Sequence, residues 1–360
     1  MHVGTILEKS KMKQIIKSSD MIPLSCTWEL TLKCNLRCKH CGSSAGNCRK
    51  DELSLQRCLE LIDELDKLGN KEVTLIGGEP LMSEKWYPIA KKLSKLGKKI
   101  NFVSNGTIMN DDIIKQLKET KINNFGLSID GNKKTNDEIR GKGVFEKIIS
   151  SIKKLQENNI KVSIATTISK HNFDDLEEVY KLLVDLGIKV WQIQLAIPIG
   201  RMDSSFMLEK HKLKDLIKFI IKVRKEKKIR IFPGCNVGYF GGLEKEYRIQ
   251  EEEKDALNHW TGCYSGIFEV GIKSNGDVLG CMTMDDKFIE GNVANETLAK
   301  IWNAPNAFSY NRNFKSCNGG CKKCSYAEIC RGGCPSISFA TTKKTNNDPY
   351  CLERIEVLKC

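Results

Sequence analysis

Cys34, Cys38 and Cys41 stand within eight residues, in the order Cys34-Asn-Leu-Arg-Cys38-Lys-His-Cys41, spaced C-x3-C-x2-C. Thiolates are soft ligands that select iron–sulfur clusters or zinc over oxygen-loving cations. Structural zinc wants four protein ligands, and no fourth Cys or His follows here with a zinc-ribbon rhythm. Three thiolates on three corners of a cubane leave one iron open to bind something else. A zinc or disulfide staple is the other use of such a triad. His40 lies between two of the cysteines, where its ring is expected to point away.

Further candidates fall at the ends of short apolar runs. Gly77-Gly78-Glu79-Pro80 begins 36 residues after Cys41. Its glycines permit close backbone approach to a ligand, and the glutamate or a nearby carbonyl can accept from an ammonium group. Ser104-Asn105-Gly106-Thr107 and Ser128-Ile129-Asp130-Gly131 offer groups suited to a ribose or carboxylate, or to closing a turn. Thr166, Thr167, Gln192 and Gln194 are weaker candidates that can simply satisfy one another. Arg201 can anchor a carboxylate or cap its own loop.

From Leu24 to about Arg224, apolar runs alternate with segments of helical period. The expected strands are 25–30, 72–76, 100–104, 125–129, 162–167 and 190–196. The expected helices are 53–68, 85–96, 111–118, 144–157, 174–186 and 210–225. Gly69, Gly97 and Gly187 stand just past periodic segments, where left-handed helix stops belong. Six such repeats imply parallel strands with crossovers, fewer than the eight of a closed barrel. The fold class expected is therefore α/β, a partial (β/α)6 TIM-like barrel, with ligand chemistry at the C-terminal strand ends. From about residue 229 the rhythm gives way to Gly-, Asn- and Cys-rich segments. There 268–273 and 278–281 flank the turn Ser274-Asn275-Gly276-Asp277. The divisions expected are a lead-in at 1–23, a core at 24–228, and a bridging and cysteine-rich α+β region at 229–360.

Sixteen cysteines in 360 residues are too many for an ordinary enzyme without metal clusters. Residues 1–20 are basic and mixed, with no apolar export signal, and no run of 18 apolar residues occurs. A cytoplasmic protein of a reducing cell, without membrane contact, is the reading. The net charge of +13 reads as a lysine-rich solvated face. Lacking an aromatic-interleaved basic motif, it fits an acidic peptide partner better than nucleic acid.

The cysteine triad after an apolar strand, followed by Gly77–Pro80 at the next strand end, resembles the radical S-adenosylmethionine (radical SAM) family. The later cysteines strengthen the resemblance. Twelve residues separate Cys263 from Gly276 and four separate Gly276 from Cys281. Then come Cys321-x2-Cys324-x5-Cys330-x3-Cys334 and Cys351, a pattern similar to the SPASM extension of that family.

The resemblance implies a 4Fe–4S cluster on Cys34, Cys38 and Cys41 whose open iron binds SAM. It also implies SAM contacts from Gly77, Gly78, Glu79, Pro80, Ser104, Asn105, Ser128, Asp130 and Gln194. Two auxiliary clusters of the 4Fe–4S kind are implied as well. The distal one falls to Cys321, Cys324, Cys330 and Cys351, and the proximal one to Cys263, Cys281 and Cys334. The fourth proximal position is left to Cys235, Cys317 or no residue. Cys26, Cys48, Cys58 and Cys360 match no motif and read as plain thiols. In such enzymes one electron, from a flavodoxin or ferredoxin-type donor, cleaves SAM to a 5′-deoxyadenosyl radical that abstracts a substrate hydrogen. The function expected is modification of a ribosomal peptide or protein, with a thioether cross-link as the product. With no leader-binding module expected in the 23 residues before the first strand, leader capture is left to a separate leader-binding protein or to the catalytic surface. The alternative is a small-molecule enzyme of the haem pathway that decarboxylates or cleaves side chains. Sulfatase maturation ranks lower, because Gly42 and Met282 stand where that branch has an aromatic residue and an aspartate.

Overall fold

The computed structural model describes residues 21–248 and 262–356. Most of the 1–23 lead-in and Cys360 lie outside the described residues. Seven strands follow one another in the sheet: β1 (Ser25–Glu29), β2 (Glu72–Ile76), β3 (Lys99–Ser104), β4 (Asn124–Ser128), β5 (Val162–Ile168), β6 (Val190–Leu195) and β7 (Arg230–Pro233). Each pairs with the next in parallel. Parallel neighbours need crossovers. These are α1 (Leu55–Lys67), α2 (Trp86–Lys95), α3 (Asp111–Glu119), α4 (Lys133–Arg140) with α5 (Val144–Glu157), α6 (Leu176–Asp185) and α7 (Leu213–Glu226). The partial barrel expected from the periodicity is present.

Local chemistry starts and stops these helices. The side chain of Ser54 accepts from Arg57 N and that of Asn110 from Ile113 N, each satisfying a donor in the first turn. Gly69, Gly97 and Gly187 have φ of 84°, 67° and 69°, the left-handed stops the sequence implies. Strand residues alternate between two faces. Trp191, Ile193 and Leu195 are buried, and the Trp191 ring meets the Phe219 ring of α7 edge-on. The opposite set, including Ala165, Thr167, Gln192 and Gln194, is half-buried and lines the interior of the curved sheet.

Two elements depart from the expected plan. Helix α4 was not read from its polar sequence; Asn132 caps it, and Asp137 accepts from Gly143 N and Phe145 N at its end. The sheet also continues past residue 229. β7 extends one edge, and β8 (Glu269–Ile272) joins the other by pairing in parallel with β1. Antiparallel β9 (Asp277–Leu279) and β10 (Gly291–Asn292) follow, giving a ten-stranded sheet. The hairpin expected around Gly276 is thus seated against the first strand of the core.

A buried carboxylate secures that seam. Glu29 Oε1 accepts from Ser274 N at 3.1 Å, Ser274 Oγ at 2.9 Å and Arg49 Nη2 at 3.1 Å. Breaking a buried ion pair by removing one partner costs roughly 3–5 kcal/mol. Glu29→Ala is expected to lower the unfolding free energy from anaerobic urea denaturation by an amount in that range. An unchanged value would show that strand pairing alone holds the hairpin.

Candidate active site and cluster sites

The cysteine loop has almost no regular structure, so hydrogen bonds must fix it. Cys34 N donates to Gly46 O and Gly46 N to Leu32 O, both at 2.9 Å, which closes the loop on its own stem. Arg201 crosses over from the end of β6. Its N donates to Cys41 O at 3.0 Å, its Nε to Cys38 O at 3.1 Å and its Nη1 to Ala45 O at 2.7 Å. Arg201 therefore braces the loop rather than holding a carboxylate. At Gly200 a Cβ would lie 2.2 Å from Gly42 O, so only glycine lets the β6 loop approach this closely.

The three thiols are half-buried and within electrostatic reach of one another. Leu36 N donates to Cys34 Sγ at 3.4 Å and Ala45 N to Cys41 Sγ at 3.3 Å. Asn105 Nδ2 lies 3.7 Å from Cys34 Sγ. Burial pushes the Cys34 and Cys38 thiols up, so iron must displace their protons. Three neighbouring thiols, two of them with N–H donors aimed at the sulfur, fit a cluster held on three corners.

Gly77–Pro80 works differently from the expectation. Cβ atoms at Gly77 and Gly78 would lie 2.7 Å from Thr31 O and 2.4 Å from Lys33 O. The glycines are needed for close approach to the stem of the cysteine loop. Gly78 N and Glu79 N donate to those same carbonyls, each at 2.8 Å. Glu79 is fully buried, and its carboxylate turns into the protein. It accepts from Ser104 Oγ at 2.8 Å, Asn105 N at 2.7 Å and Leu81 N at 3.2 Å. Glu79 and Ser104 thus clamp the ends of β2 and β3 together, with both carboxylate oxygens engaged inside the protein.

Asp130 is likewise turned inward. Its Oδ2 accepts from His40 Nε2, Arg140 Nε and Arg140 Nη2, each at 2.6 Å, and its Oδ1 from Thr167 N at 2.8 Å. Burial alone would raise this carboxyl, but the Arg140 guanidinium and the His40 ring outweigh it. They hold it well below the usual carboxylate range. The His40 ring points away from the cysteines through Nε2, as expected, while its Nδ1 is buried without a partner. Arg140 and Asn172, which donates to Asp130 O at 2.7 Å, are functional supports that the sequence reading missed.

The remaining candidates face the interior. Gln194 Nε2 donates to Thr167 Oγ1 at 3.1 Å, and Ser128 is half-buried at the end of β4. Thr166 turns the other way, bonding Ile129 O and Trp191 Nε1. Val103, Gly126 and Ser163 stand in register on adjacent strands, and Val103 is 38% exposed in mid-sheet. The interior is an open lumen beside the cysteine loop.

Two further groups of thiols gather in the C-terminal third. Cys321, Cys324, Cys330 and Cys351 line one cavity, and Cys317 lines it too. Cys263 neighbours both Cys281 and Cys334, and Cys235 lies within reach of all three. Burial pushes the Cys281 and Cys351 thiols up to about 12. The described cysteines are all free, which removes the disulfide staple. Among the described residues no three His, Cys, Asp or Glu side chains close on a single metal ion. Thiols spaced around cavities fit the larger body of a cluster.

Known families match at both sites. Residues 28–183 match the radical SAM superfamily and residues 263–334 match SPASM, an iron–sulfur cluster-binding domain. The chain is an enzyme that carries a radical SAM domain followed by a SPASM domain. It is 28% identical over 340 residues to the AdoMet-dependent heme synthase of Methanosarcina barkeri, covering 92% of this chain and 97% of that protein. It is 28% identical over 336 residues to the mycofactocin maturase of Mycolicibacterium smegmatis, covering 92% and 83%. Streptococcus suis SuiB bound to S-adenosylmethionine superposes with a TM-score of 0.75 at 19% identity, over 95% of this chain and 80% of that one. No helix among the described residues is long and apolar enough to cross a membrane.

Two outcomes follow. Replacing Cys34, Cys38 and Cys41 together by alanine is expected to abolish release of 5′-deoxyadenosine from SAM under dithionite. Of about 12 iron per chain for three cubanes, about 8 should remain. Unimpaired cleavage would reject the triad as the SAM site. Burial also raises the Glu79 carboxyl to about 7, against the lowering effect of its three donors. A carboxyl raised on folding binds its proton more tightly when folded. Its contribution to stability is fully present below the unfolded value near 4.5 and is lost as pH rises through about 7. The urea midpoint should therefore fall less between pH 5.5 and 7.5 in Glu79→Gln than in the parent; equal slopes would assign the pH dependence elsewhere.

Proposed function

We propose that this enzyme acts on a tetrapyrrole of the haem pathway, abstracting hydrogen from a carboxylate-bearing side chain and releasing the carboxylate. The observation that carries this reading is the match to a heme synthase along nearly the whole length of both proteins. Heme synthases of Oleidesulfovibrio alaskensis and Nitratidesulfovibrio vulgaris are also similar, at 28% and 27% identity. Peptide modification, the first expectation from the sequence, gives way to its alternative on these grounds.

When bound, the clusters and SAM supply a radical that removes one hydrogen atom, and an acceptor for one electron. Loss of that hydrogen atom, of CO2 and of one electron converts a propionate side chain to a vinyl group. The chain's own residues position and shield these partners. Arg201, Asp130 and His40 hold the cysteine loop. Gly78 and Glu79 turn their N–H groups onto the stem of that loop, and the carbonyls of Gly77 and Gly78 can accept from the ammonium group of SAM. Asn105 places an amide beside Cys34. Ser128, Thr167 and Gln194 offer hydroxyl and amide groups inside the lumen, and Val103 beside Gly126 gives apolar surface for a flat ring.

A second reading, modification of a peptide, is favoured by the mycofactocin maturase match. One assay separates the two. With SAM, dithionite and iron coproporphyrin III under anaerobic conditions, 5′-deoxyadenosine should form together with a tetrapyrrole lacking one or more carboxyl groups. SAM cleavage that leaves the tetrapyrrole intact, but is coupled to change in a peptide encoded beside the gene, would replace this reading with the second.

A further inference from the structure

Cys235 lies outside both matched families, between residues 183 and 263. It follows β7, the strand that extends the sheet beyond its expected limit. The loop that carries it is fixed from both sides. Gly234 N donates to Ile193 O at 2.6 Å, and Asn236 bonds both the N and the O of Leu195. Tyr239 Oη donates to Cys235 O at 2.9 Å. These bonds tie the loop to the end of β6, where Gln194 enters the lumen.

The side chain so placed is exposed, yet its thiol sits beside that of buried Cys334, and the Cys263 and Cys281 thiols are within electrostatic reach of it. Four thiols from four separate segments thus surround one space. Cys317, the other unassigned thiol, lines the distal cavity instead.

We infer that Cys235 is the fourth protein ligand of the proximal auxiliary cluster, completing the set Cys263, Cys281 and Cys334. On ligation each thiol gives its proton to solvent as its sulfur–iron bond forms, and no electron is transferred. A cubane with four protein thiolates has no iron open to substrate. Such a cluster cannot capture a substrate thiolate, and it is left to accept or relay electrons. The inference rests on the SPASM assignment and is independent of the tetrapyrrole reading.

Differential alkylation of the wild-type chain tests it without a variant that must fold. Cluster-loaded and apo protein are treated anaerobically with iodoacetamide, and modified cysteines are located by mass spectrometry. Cys235 should be protected in the loaded protein and labelled in the apo protein, whereas exposed Cys48 labels in both. Equal labelling of Cys235 in the two forms overturns the inference. In a second measurement, Cys235→Ala should lose about a third of its iron and sulfide, or change the electron paramagnetic resonance signal of the reduced auxiliary clusters, and Cys48→Ala should do neither. Full iron with an unaltered spectrum in Cys235→Ala also overturns it.

Discussion

The buried carboxylate of Asp130 is the interaction on which the active site depends. A carboxylate removed from water is costly unless it is paired and its lone pairs are used. Here His40, Arg140 and Thr167 share its two oxygens, and Asn136 and Asn172 take its backbone N–H and carbonyl. The cysteine loop, helix α4 and strand β5 thereby meet at one charge. The loop has few backbone bonds of its own, so its shape is inherited from this fully satisfied centre. An open-iron cluster needs such a frame, because three ligands constrain it less than four.

Glu79 is the instructive contrast. It is as deeply buried as Asp130, but its donors are neutral: a hydroxyl and two backbone N–H groups. Burial wins there and the carboxyl is raised, whereas at Asp130 the Arg140 guanidinium and the His40 ring win and it is lowered. Two acids, at the ends of β2 and β4, are set apart by the charge of their partners. Their shared task is mechanical, joining β2 to β3 and β4 to the cysteine loop.

Periodicity and cysteine spacing made the six β/α repeats and most cluster thiols legible in the sequence. What escaped was non-local or inward-facing. β7 is four residues long and ends in proline, so it carries little strand signal. Helix α4 is polar throughout and forms on its caps. The pairing of β8 with β1 joins residues more than 240 positions apart, which no local pattern records. Ser104, Glu79 and Asp130 were read as SAM contacts because a polar residue at a strand end looks the same whether it meets a ligand or the next strand. Cys235 stood outside the spacing that identifies its neighbours, and only the path of β7 brings it to them.

The seating of β8 against β1 also bears on how the chain comes off the ribosome. Of the two partners of strand β1, one arrives some 240 residues after it. Until then the edge of Ser25–Glu29, which carries Trp28, offers unpaired N–H and carbonyl groups to any other chain. Nascent or truncated forms ending near residue 229 share that open edge. The SPASM hairpin is thus an edge cover as well as a carrier of clusters, and solubility of the core is bound to completion of the C-terminal third.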